Sequence, residues 1–438
     1  MTADRSTSNP ISDVRMRGFA RRTTVAETLL WLDDHLQTLP PESVPLAELA
    51  GRVLARDIVS QVDVPMFARS MMDGYAVVAN DTLGASSYNQ LALQVVGEVL
   101  PGQPPRVGVK PSEAVRIMTG AALPTGADAV LPVEKVTVEK MPAEKMPAEK
   151  MPAKKMPVKG ERIFAQDAVP PGKNVGKIGE DIPRGSTVLQ SGRRLRPQDI
   201  GVLSSIGITA ADVVRRPRVR IVVTGNELLP PGSVPRDFHI VDANSPMLAA
   251  LIARDGGLPI NPGIIADDPE SILEAMRDDA DIVLVSGGSS VGKEDHAPVL
   301  LGQQGDLAIH GIAMRPSSPT GMGTLDDCLV FLLPGNPVSC LCAYDFFAGR
   351  AIRVFAGNGA EWPYRQSQFP LRRKLVSTVG RLDYARVKLI DGQAEPLAIS
   401  GASMLSSTTR ADGFVIVEDD CEGYPDGAMV TVHLYDLF

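Results

Sequence analysis

Residues 281–295 read DIVLVSGGSSVGKED, and this stretch decides the fold of the central part of the chain. Ile282 to Val285 is a short apolar run of the kind that forms a buried parallel strand. Residues 286–292 then contain three glycines and three serines, which predicts a tight loop rich in backbone N–H groups. Such a loop at the carboxyl end of a strand suits a phosphate or another oxyanion. Glu294 and Asp295 follow, which favours a phosphate held with a divalent cation; an ordinary Gly-rich βα turn is the alternative.

Strands and helices alternate on both sides of this stretch, which predicts a doubly wound α/β domain. Extended segments are predicted at 219–223, 260–265, 307–314 and 329–333, and helices at 247–254, 269–277, 296–303 and 337–355. Asn244 is predicted to be the N-cap of the first of these helices. Three loops rich in Gly, Ser, Asn and acid follow strands, at 224–227, 286–292 and 334–337. Because parallel strands end at one edge of their sheet, we expect these loops to converge on one crevice for a phosphorylated ligand.

The first part of the chain has a different pattern. Residues 1–20 are polar and predict a disordered tail, and Thr24 with Glu27 forms a capping box that opens a helix. That helix should place Val25, Leu29, Leu30 and Leu36 on its apolar side, and residues 46–55 predict a second helix. Residues 74–138 are short apolar runs separated by Pro and Gly, which predicts an all-β region.

Residues 141–159 are a low-complexity repeat, MPAEK, MPAEK, MPAKK and MPVK. Proline at every fifth position forbids a continuous helix, and the composition cannot bury a core. We expect a mobile hairpin tip, which is a tolerated insertion or, alternatively, a docking element. At the other end of the chain, residues 365–438 return to short strands and turns, typical of a small β-barrel or sandwich.

Composition limits the classes of function. A net charge of −8 with no basic stripe gives no support to nucleic acid as a partner. No window approaches the roughly 18 apolar residues of a membrane span, and the N-terminus has no apolar signal-peptide core, so a soluble cytoplasmic protein is expected. The four cysteines form no CxxC motif, which favours buried free thiols over a disulfide or a metal site.

A series of motifs identifies a family resemblance. Nine motifs follow one another along the chain: SMMDGYAV (70–77), RIMTGA (116–121), GED (179–181), TGNEL (224–228), DDP (267–269), SGGSSVG (286–292), MRPSSPTG (314–321), LPGNPVS (333–339) and GRLDYAR (380–386). Together they resemble molybdopterin molybdenumtransferase, the MoeA and gephyrin E-domain family, over roughly residues 20–438 apart from the MPAEK insertion.

The resemblance implies a multidomain α/β plus β fold. It implies a tail (1–20), a segmented N-terminal dimerisation domain (21–62 and 162–214), an inserted β domain (63–161), a doubly wound α/β molybdopterin-binding domain (215–358) and a C-terminal β-barrel (359–438). It also implies a homodimer whose active sites form between the β domain of one subunit and the α/β domain of the other.

The resemblance implies an activity as well. Members are transferases that insert molybdate into adenylylated molybdopterin with Mg²⁺, releasing AMP and molybdenum cofactor. The implied partners are a molybdopterin-adenylylating protein and molybdoenzymes that accept the cofactor, with no nucleic acid and no membrane.

Site residues are implied position by position. Glu227 and Asp295 match residues that hold Mg²⁺ near the pyrophosphate, where oxygen ligands suit a hard cation. The catalytic positions matched besides these are Asp73 and Thr119, which complete the site across the dimer, and Arg315 and Arg386, which attract molybdate and phosphate. The matched binding positions are Thr224, Gly225, Asn226, Ser286, Gly287, Gly288, Ser289, Ser290, Gly292, Ser317, Pro334, Gly335, Asn336, Pro337, Asp181 and Asp267. Alternatives stay open for three of these residues: Asp267 as a helix N-cap, Arg386 as a surface charge and Asp73 as a plain turn residue.

The chain departs from the family pattern at several positions. Asn226 stands where Asp is usual, Ser318 replaces a lysine, Ala68 stands where Asp is frequent and Ala402 displaces a serine. The first two changes cancel in net charge, which fits a variant active enzyme. Two other hypotheses remain: a degenerate molybdopterin-binding scaffold without turnover, and a molybdopterin adenylyltransferase-like enzyme or nucleotide pyrophosphatase. The appended β domains argue against the latter group.

Overall fold

A computed structural model describes residues 19, 22–139, 161–277, 279–288, 295–398 and 401–435. The predicted tail apart from Phe19, the MPAEK repeat and Ser289, Ser290 and Gly292 lie outside the described residues. The chain divides into two compact units. The first contains the described residues up to Val44, Leu49–Ala55 and the described residues from Asp212 onward; the second contains Pro45–Glu48 and Arg56–Ala211.

The described chain up to residue 214 is mostly short strands. The elements are α1 (Val25–Asp33), β1 (Pro41–Pro45), β2 (Ile58–Val59), β3 (Arg69–Ser70), β4 (Gly74–Val77), β5 (Leu91–Val99), β6 (Glu113–Ile117), β7 (Ala129–Pro132), β8 (Val136–Glu139), β9 (Arg162–Ala165), β10 (Val175–Gly176), β11 (Thr187–Leu189), α2 (Pro197–Ser205) and β12 (Ala210–Val214). The capping box at α1 is confirmed: the Thr24 hydroxyl accepts from the backbone N–H of Glu27, whose carboxylate accepts from the N–H of Thr24.

Two details of the helix predictions are wrong. Leu30 is 68% exposed, and the buried side of α1 is formed by Val25, as predicted, together with Thr28 and Leu32. The predicted helix over 46–55 is only a 3-10 turn at Leu46–Glu48. Leu54 instead forms an antiparallel bridge with Val213, so β pairing to a distant segment overrides the local helical preference.

The second unit contains a six-stranded sheet in the order β7-β4-β6-β5-β9-β8. Its core includes Tyr75, Val77, Leu93, Leu131 and Ile163, and the all-β prediction for 74–138 is confirmed. Strand β4 is paired on both sides, with β6 and β7, and all four of its residues are buried. The segment just before β4 is therefore held by a central strand.

The α/β part of the first unit follows the predicted alternation. Its elements are β13 (Arg218–Thr224), β14 (Leu228–Leu229), β15 (Ile240–Val241), α3 (Asn244–Arg254), β16 (Leu258–Ile260), β17 (Ile264–Ile265), α4 (Pro269–Arg277), β18 (Ile282–Ser286), α5 (Ala297–Gln304), β19 (Asp306–His310), β20 (Met314–Arg315), β21 (Gly321–Leu325), β22 (Cys328–Leu333), α6 (Pro337–Ala343), a π-helical turn (Tyr344–Ala348) and α7 (Gly349–Phe355).

The sheet of this part has the order β16-β13-β18-β22-β21-β19. The first four strands are parallel, whereas β21 and β19 run antiparallel at one edge. Every residue of β18 is buried, because apolar clusters cover both faces of the sheet. The doubly wound α/β prediction is confirmed, with two short strands, β16 and β17, in place of one over 260–265.

The helical stretch predicted from 337 to 355 is confirmed, with the π-helical turn in its middle. Cys340 and Cys342 are buried free thiols, as predicted, whereas Cys328 and Cys421 are half-buried free thiols. Among the described residues, no helix has the length and apolar character needed to cross a membrane.

The C-terminal part of the first unit is a β domain, as predicted. Its elements are β23 (Arg365–Pro370), β24 (Leu375–Val376), β25 (Leu382–Ile390), β26 (Gln393–Ala398), α8 (Ser406–Thr409), β27 (Gly413–Val417), β28 (Gly423–Tyr424) and β29 (Met429–Leu434). The main sheet runs β20-β25-β27-β29-β23, with β26 on β25. Strand β20 comes from the α/β stretch, so the pairing of Arg315 with Asp383 in β25 joins the two parts of this unit.

Candidate functional site

The three predicted ligand loops converge on one cavity of about 490 Å³ at the carboxyl edge of the parallel strands. We call it the acidic cavity, because Glu227, Asp242 and Asp295 line it and no lysine, arginine or histidine of the described chain does so. The predicted site residues in its lining are Thr224, Glu227, Ser286, Gly287, Gly288, Asp295, Gly335, Asn336 and Pro337. The predicted convergence is confirmed, since β13, β18 and β22 are adjacent and parallel. The chemical roles of these residues remain predictions.

Close packing explains the glycines in these loops. Gly287 has a φ of +100°, and a Cβ there would lie 2.4 Å from the carbonyl oxygen of Thr224. Gly225 has a φ of +146°, and a Cβ there would lie 2.8 Å from the Glu227 carboxylate. Only glycine combines these backbone angles with this closeness, so the loops approach each other more tightly than side chains would permit.

Carboxylates give the acidic cavity its chemistry. Oxygen ligands suit Mg²⁺, which is commonly bound by one or two carboxylates together with substrate phosphates. Glu227 and Asp295 fit that pattern, since both line the cavity. No group of three or more His, Cys, Asp or Glu side chains within the described ranges forms a complete metal cage. The lining of the acidic cavity thus presents the carboxylates of Glu227 and Asp295 as candidate oxygen ligands for a cation.

Asp242 and Asn244, which lie in the same cavity wall, were not singled out by sequence as site residues. The prediction that Asn244 caps the following helix is wrong, because the Asp242 carboxylate accepts from the backbone N–H groups of Asn244 (2.9 Å) and Ser245 (3.1 Å). The amide of Asn244 is turned toward the loops, where it donates to the Ser286 hydroxyl and to the carbonyl oxygen of Gly335. The only sequence signal was a polar cluster, DANS, at a helix start.

A second cavity of about 750 Å³ lies in the same unit. We call it the basic cavity, because Arg22, Arg315 and Arg381 line it and no acidic residue among the described ones does so. Asn336 lines both cavities, so the 334–337 loop borders each of them. Three guanidinium groups make this cavity attractive to an anion.

A buried carboxylate organises two of these arginines. Asp383 is fully buried, accepts from Nε of Arg315 (2.9 Å) and from Arg315 Nη2, and lies 3.7 Å from Nε of Arg381. The Ser377 hydroxyl donates to the same carboxylate at 2.6 Å. Asp383 thus neutralises one of the three positive charges, and the arginines around the cavity retain a net positive charge. Sequence reasoning singled out only Arg386 in the GRLDYAR motif and so missed Arg381 and Asp383 in the same motif. Arg22 was also missed, because it lies far from this motif along the chain.

Other predicted binding residues also border the basic cavity. Ser317 has a φ of +90°, is 2% exposed and donates a hydrogen bond to the carbonyl oxygen of Ser339. Pro334 lines the cavity beside it. Ala402, one of the departures from the family pattern, contributes through its backbone, since its carbonyl oxygen accepts from the N–H of Val338 at 2.9 Å. That contact does not depend on the side chain at position 402.

Arg386 lies in the interior of the protein. Its side chain is fully buried on β25, so the alternative of a surface charge is wrong. It lines neither the acidic nor the basic cavity. Its charge instead lies near Cys342 and Tyr435, and burial raises the pKa of the Cys342 thiol despite the opposing effect of this charge.

Two predicted catalytic residues meet in the second unit. Asp73 Oδ1 accepts hydrogen bonds from the backbone N–H of Thr119 (2.7 Å) and from its hydroxyl (2.8 Å). These bonds hold the pKa of the Asp73 carboxyl below its usual range, with the backbone bond the larger cause. The pairing goes beyond a plain turn, because Asp73 and Thr119 come from segments 46 residues apart.

The remaining acidic positions do not reach the cavities. Asp181 is exposed in the second unit, and Asp267 precedes α4 outside both cavity linings. Asp268 is the residue that caps α4, since its carboxylate accepts from the N–H groups of Ser271 (2.9 Å) and Glu270 (3.1 Å). The alternative of Asp267 as the helix N-cap is therefore wrong. Asn226 is exposed next to the acidic cavity lining.

Comparisons with known proteins match the whole described architecture. Residues 23–207 match the MoeA N-terminal region (domain I and II), residues 220–353 a probable molybdopterin binding domain, and residues 368–435 the MoeA C-terminal region (domain IV). The molybdopterin molybdenumtransferase of Bacillus subtilis is 32% identical over 406 residues, covering 90% of this chain and 89% of the relative. The Haemophilus influenzae molybdopterin molybdenumtransferase is 30% identical over 406 residues, covering 90% and 94%.

Solved structures agree with these family matches. A molybdopterin biosynthesis MoeA protein from Pyrococcus horikoshii superposes with a TM-score of 0.77 at 31% identity, covering 95% of this chain and 100% of that chain. The resemblance read from the motifs is confirmed, as is the multidomain α/β plus β fold. The chain belongs to the molybdopterin molybdenumtransferase (MoeA) family, the transferases of molybdenum cofactor biosynthesis.

Proposed function

We propose that this protein inserts molybdate into the dithiolene of adenylylated molybdopterin with Mg²⁺ and releases AMP and molybdenum cofactor. The observation that carries the proposal is the pair of oppositely charged cavities bordered by one loop, 334–337. The reaction needs a site for a pyrophosphate with its cation and a neighbouring site for a dianion. The matched relatives carry the name of this transferase activity.

In the acidic cavity the 286–288 loop would contact phosphate oxygens, and Glu227 and Asp295 would hold Mg²⁺. Held by these two carboxylates, Mg²⁺ would supply positive charge beside the pyrophosphate and the leaving AMP. Asn336 and Pro337 would border the nucleotide and pterin. Gly287, which packs against the carbonyl oxygen of Thr224, would keep the 286–288 and 224–227 loops close enough to contact one ligand.

In the basic cavity Arg22, Arg315 and Arg381 would attract molybdate. Arg315 keeps its orientation because Asp383 holds its guanidinium, so little ordering is needed when the anion arrives. Two Mo–S bonds form as one oxo ligand leaves with the two thiol protons as water, and molybdenum keeps its oxidation state. Hydrolysis of the P–O–P bond then consumes one water and gives AMP.

We place Asp73 and Thr119 opposite these cavities in a cytoplasmic homodimer, each pair completing the site of the other subunit. The flanking residues Met66, Phe67 and Met71 are 67%, 46% and 58% exposed. Exposed apolar side chains grouped beside a polar pair are typical of a protein contact surface. The molybdopterin-adenylylating protein and molybdoenzymes are the expected partners before and after this step.

Single-turnover reaction of the purified protein with adenylylated molybdopterin, Mg²⁺ and molybdate tests the proposal. We expect AMP release and cofactor formation to depend together on molybdate. Tight binding of the substrate without AMP release would instead establish the scaffold alternative, which the departures at Asn226, Ser318 and Ala402 motivate. Formation of adenylylated molybdopterin from ATP would establish the adenylyltransferase alternative.

The shared site has its own test. Asp73→Ala and Asp295→Ala proteins should each be inactive, whereas a mixture that has exchanged subunits should regain about a quarter of the wild-type rate. Half of the dimers are then mixed, and each of these has one intact site. No recovery in mixed dimers whose formation is verified by two different affinity tags would contradict a site built from both subunits.

A further inference from the structure

We propose that Asn244 is a positioning residue that locks the loops 286–288 and 334–337 in a fixed register beneath the acidic cavity. The inference rests on the proposed function, since those loops would contact the phosphate and the nucleotide. Asn244 lies in the lining of the cavity and is 7% exposed.

The amide of Asn244 joins the ends of two neighbouring strands. Its Nδ2 donates to the Ser286 hydroxyl at 2.9 Å and to the carbonyl oxygen of Gly335 at 2.8 Å. The Gly335 carbonyl only accepts, so the nitrogen of the amide must face it. Ser286 ends β18, and Gly335 follows β22, which pairs with β18. One side chain therefore sets the separation of two loops that are 49 residues apart.

The position of Asn244 is itself fixed. Asp242 is 5% exposed, and its carboxylate accepts from the backbone N–H of Asn244, from the backbone N–H of Ser245 and from the Ser245 hydroxyl. Helix α3 then packs into the core through Leu248 and Ile252, which are fully buried. A side-chain amide on the first residue of a packed helix holds the two loops more accurately than an amide on a loop would.

The chemistry of the amide points to positioning rather than to packing alone. Asn244 Oδ1 is buried and makes no hydrogen bond among the described residues, so the oxygen gives no bond that would explain an amide at this position. What only the amide supplies is two donors from one nitrogen, aimed at two loops. The two donated hydrogen bonds, rather than the unpaired oxygen, therefore account for an amide at this position.

The test uses three substitutions in the full-length protein and one local control. Asn244→Asp keeps the size and one oxygen of the side chain but places an acceptor against the Gly335 carbonyl, and Asn244→Leu removes both bonds. Ser286→Ala removes only the bond between the amide and the Ser286 hydroxyl. Ser245→Ala is the matched control, since it removes a buried hydrogen bond to Asp242 and leaves both hydrogen bonds of the Asn244 amide in place.

Hydrogen exchange without ligand, affinity for adenylylated molybdopterin and melting temperature are measured for each variant. For Asn244→Asp and Asn244→Leu we expect at least about tenfold faster exchange in both loops and about 10–100-fold weaker binding, as for other supporting contacts around a site. Exchange in β13 and in residues 282–285 of β18 should stay unchanged. Ser286→Ala should show a smaller change in the same loops, and Ser245→Ala should lower the melting temperature without altering loop exchange.

Unchanged loop exchange and affinity in Asn244→Asp would overturn the proposal. So would a general increase in exchange that matches Ser245→Ala, because that outcome describes a structural residue only. If the wild type binds the substrate but releases no AMP, the proposed function fails while loop exchange and affinity still decide the role of Asn244. If the wild type does not bind it, loop exchange alone decides that role.

Discussion

The acidic and basic cavities of the first unit differ in charge and in how the chain builds them. Glu227, Asp242 and Asp295 line one, whereas Arg22, Arg315 and Arg381 line the other. Asn336 lines both. Under the proposed function a pyrophosphate and a dianion would occupy these cavities, and a cation in one and the arginines around the other would offset the repulsion between the two anions. The difference teaches that one unit of the fold presents two neighbouring cavities of opposite charge.

The two cavities also differ in origin. The acidic cavity comes mainly from loops that follow parallel strands of a single sheet. The basic cavity is assembled from segments near residues 22, 315, 380 and 402, which belong to different parts of the unit. Substitutions that act on only one cavity therefore separate what each cavity contributes to activity, ligand binding and stability.

The largest effect is expected in the acidic cavity. Glu227→Gln and Asp295→Asn keep the side-chain shapes but remove the charges that would hold the cation. We expect AMP release to fall on the order of a hundredfold or more, comparable to the loss of one electrostatic contact in a preorganised site. The Mg²⁺ concentration for half-maximal rate should rise at the same time. Asp326→Asn is the control, because Asp326 is exposed in a turn with a φ of +52° that Asn tolerates.

The second-largest effect is expected from the ion pair between Arg315 and Asp383 beneath the basic cavity. Arg315→Gln would leave the buried Asp383 without its main counter-charge, and we expect the free energy of unfolding to fall by about 3 kcal/mol. Arg22→Gln should leave unfolding unchanged, because Arg22 is exposed, and should weaken only molybdate binding. Urea unfolding and equilibrium dialysis with molybdate separate the two variants. Equal stability of both proteins would mean that Arg315 is not needed to compensate Asp383.

A smaller loss of stability is expected from one methyl group added to the 286–288 loop. Gly287→Ala places a Cβ against the Thr224 carbonyl at an unfavourable φ, and we expect a loss of about 2 kcal/mol in unfolding free energy together with weaker substrate binding. Gly335→Ala is the matched control in the same cavity, since its Cβ would be 3.7 Å from the nearest atom. Thermal melts of the two proteins measure the difference, and equal melting temperatures would refute the close approach.

The smallest effect concerns the departures from the family pattern. Ser318→Lys adds a positive charge in the basic cavity and Asn226→Asp adds a negative charge beside the acidic one. One added charge about 4 Å from the anion is worth about 1 kcal/mol in water, so molybdate should bind roughly two- to tenfold tighter to Ser318→Lys. The gain should shrink at high salt. Asn226→Asp should leave molybdate affinity unchanged, and a comparable gain in both variants would contradict two separate cavities.

Much of the acidic cavity could be predicted from sequence, because its parts follow a local rule. Thr224, Ser286 and Gly335 each stand at or just beyond the end of an apolar strand, and parallel strands bring such positions to one edge. The role of Asn244 could not be predicted in this way. A polar residue at a helix start usually caps that helix, and here Asp242 does so and frees the amide for the loops.

Two of the wrong predictions, the helix over residues 46–55 and the surface alternative for Arg386, share one physical cause. Residues 46–55 have helical propensity, but the bridge between Leu54 and Val213 depends on a segment more than 150 residues away. Arg386 is charged and reads as a candidate for the surface or the site, yet the packing of β25 buries it completely. Propensity acts over a few residues, whereas burial is decided by whatever the whole chain places next to a side chain.

The sequence by itself determined the alternation of strands and helices, the glycine-rich loops and the family, because these depend on local period and on motifs in a fixed order. Only the tertiary structure decided that Asp383 holds Arg315, that Arg22 and Arg381 join it, and that Asn244 connects two loops. Those contacts join positions far apart in the chain, and their distances are set by the packing of the sheets rather than by their neighbours in sequence.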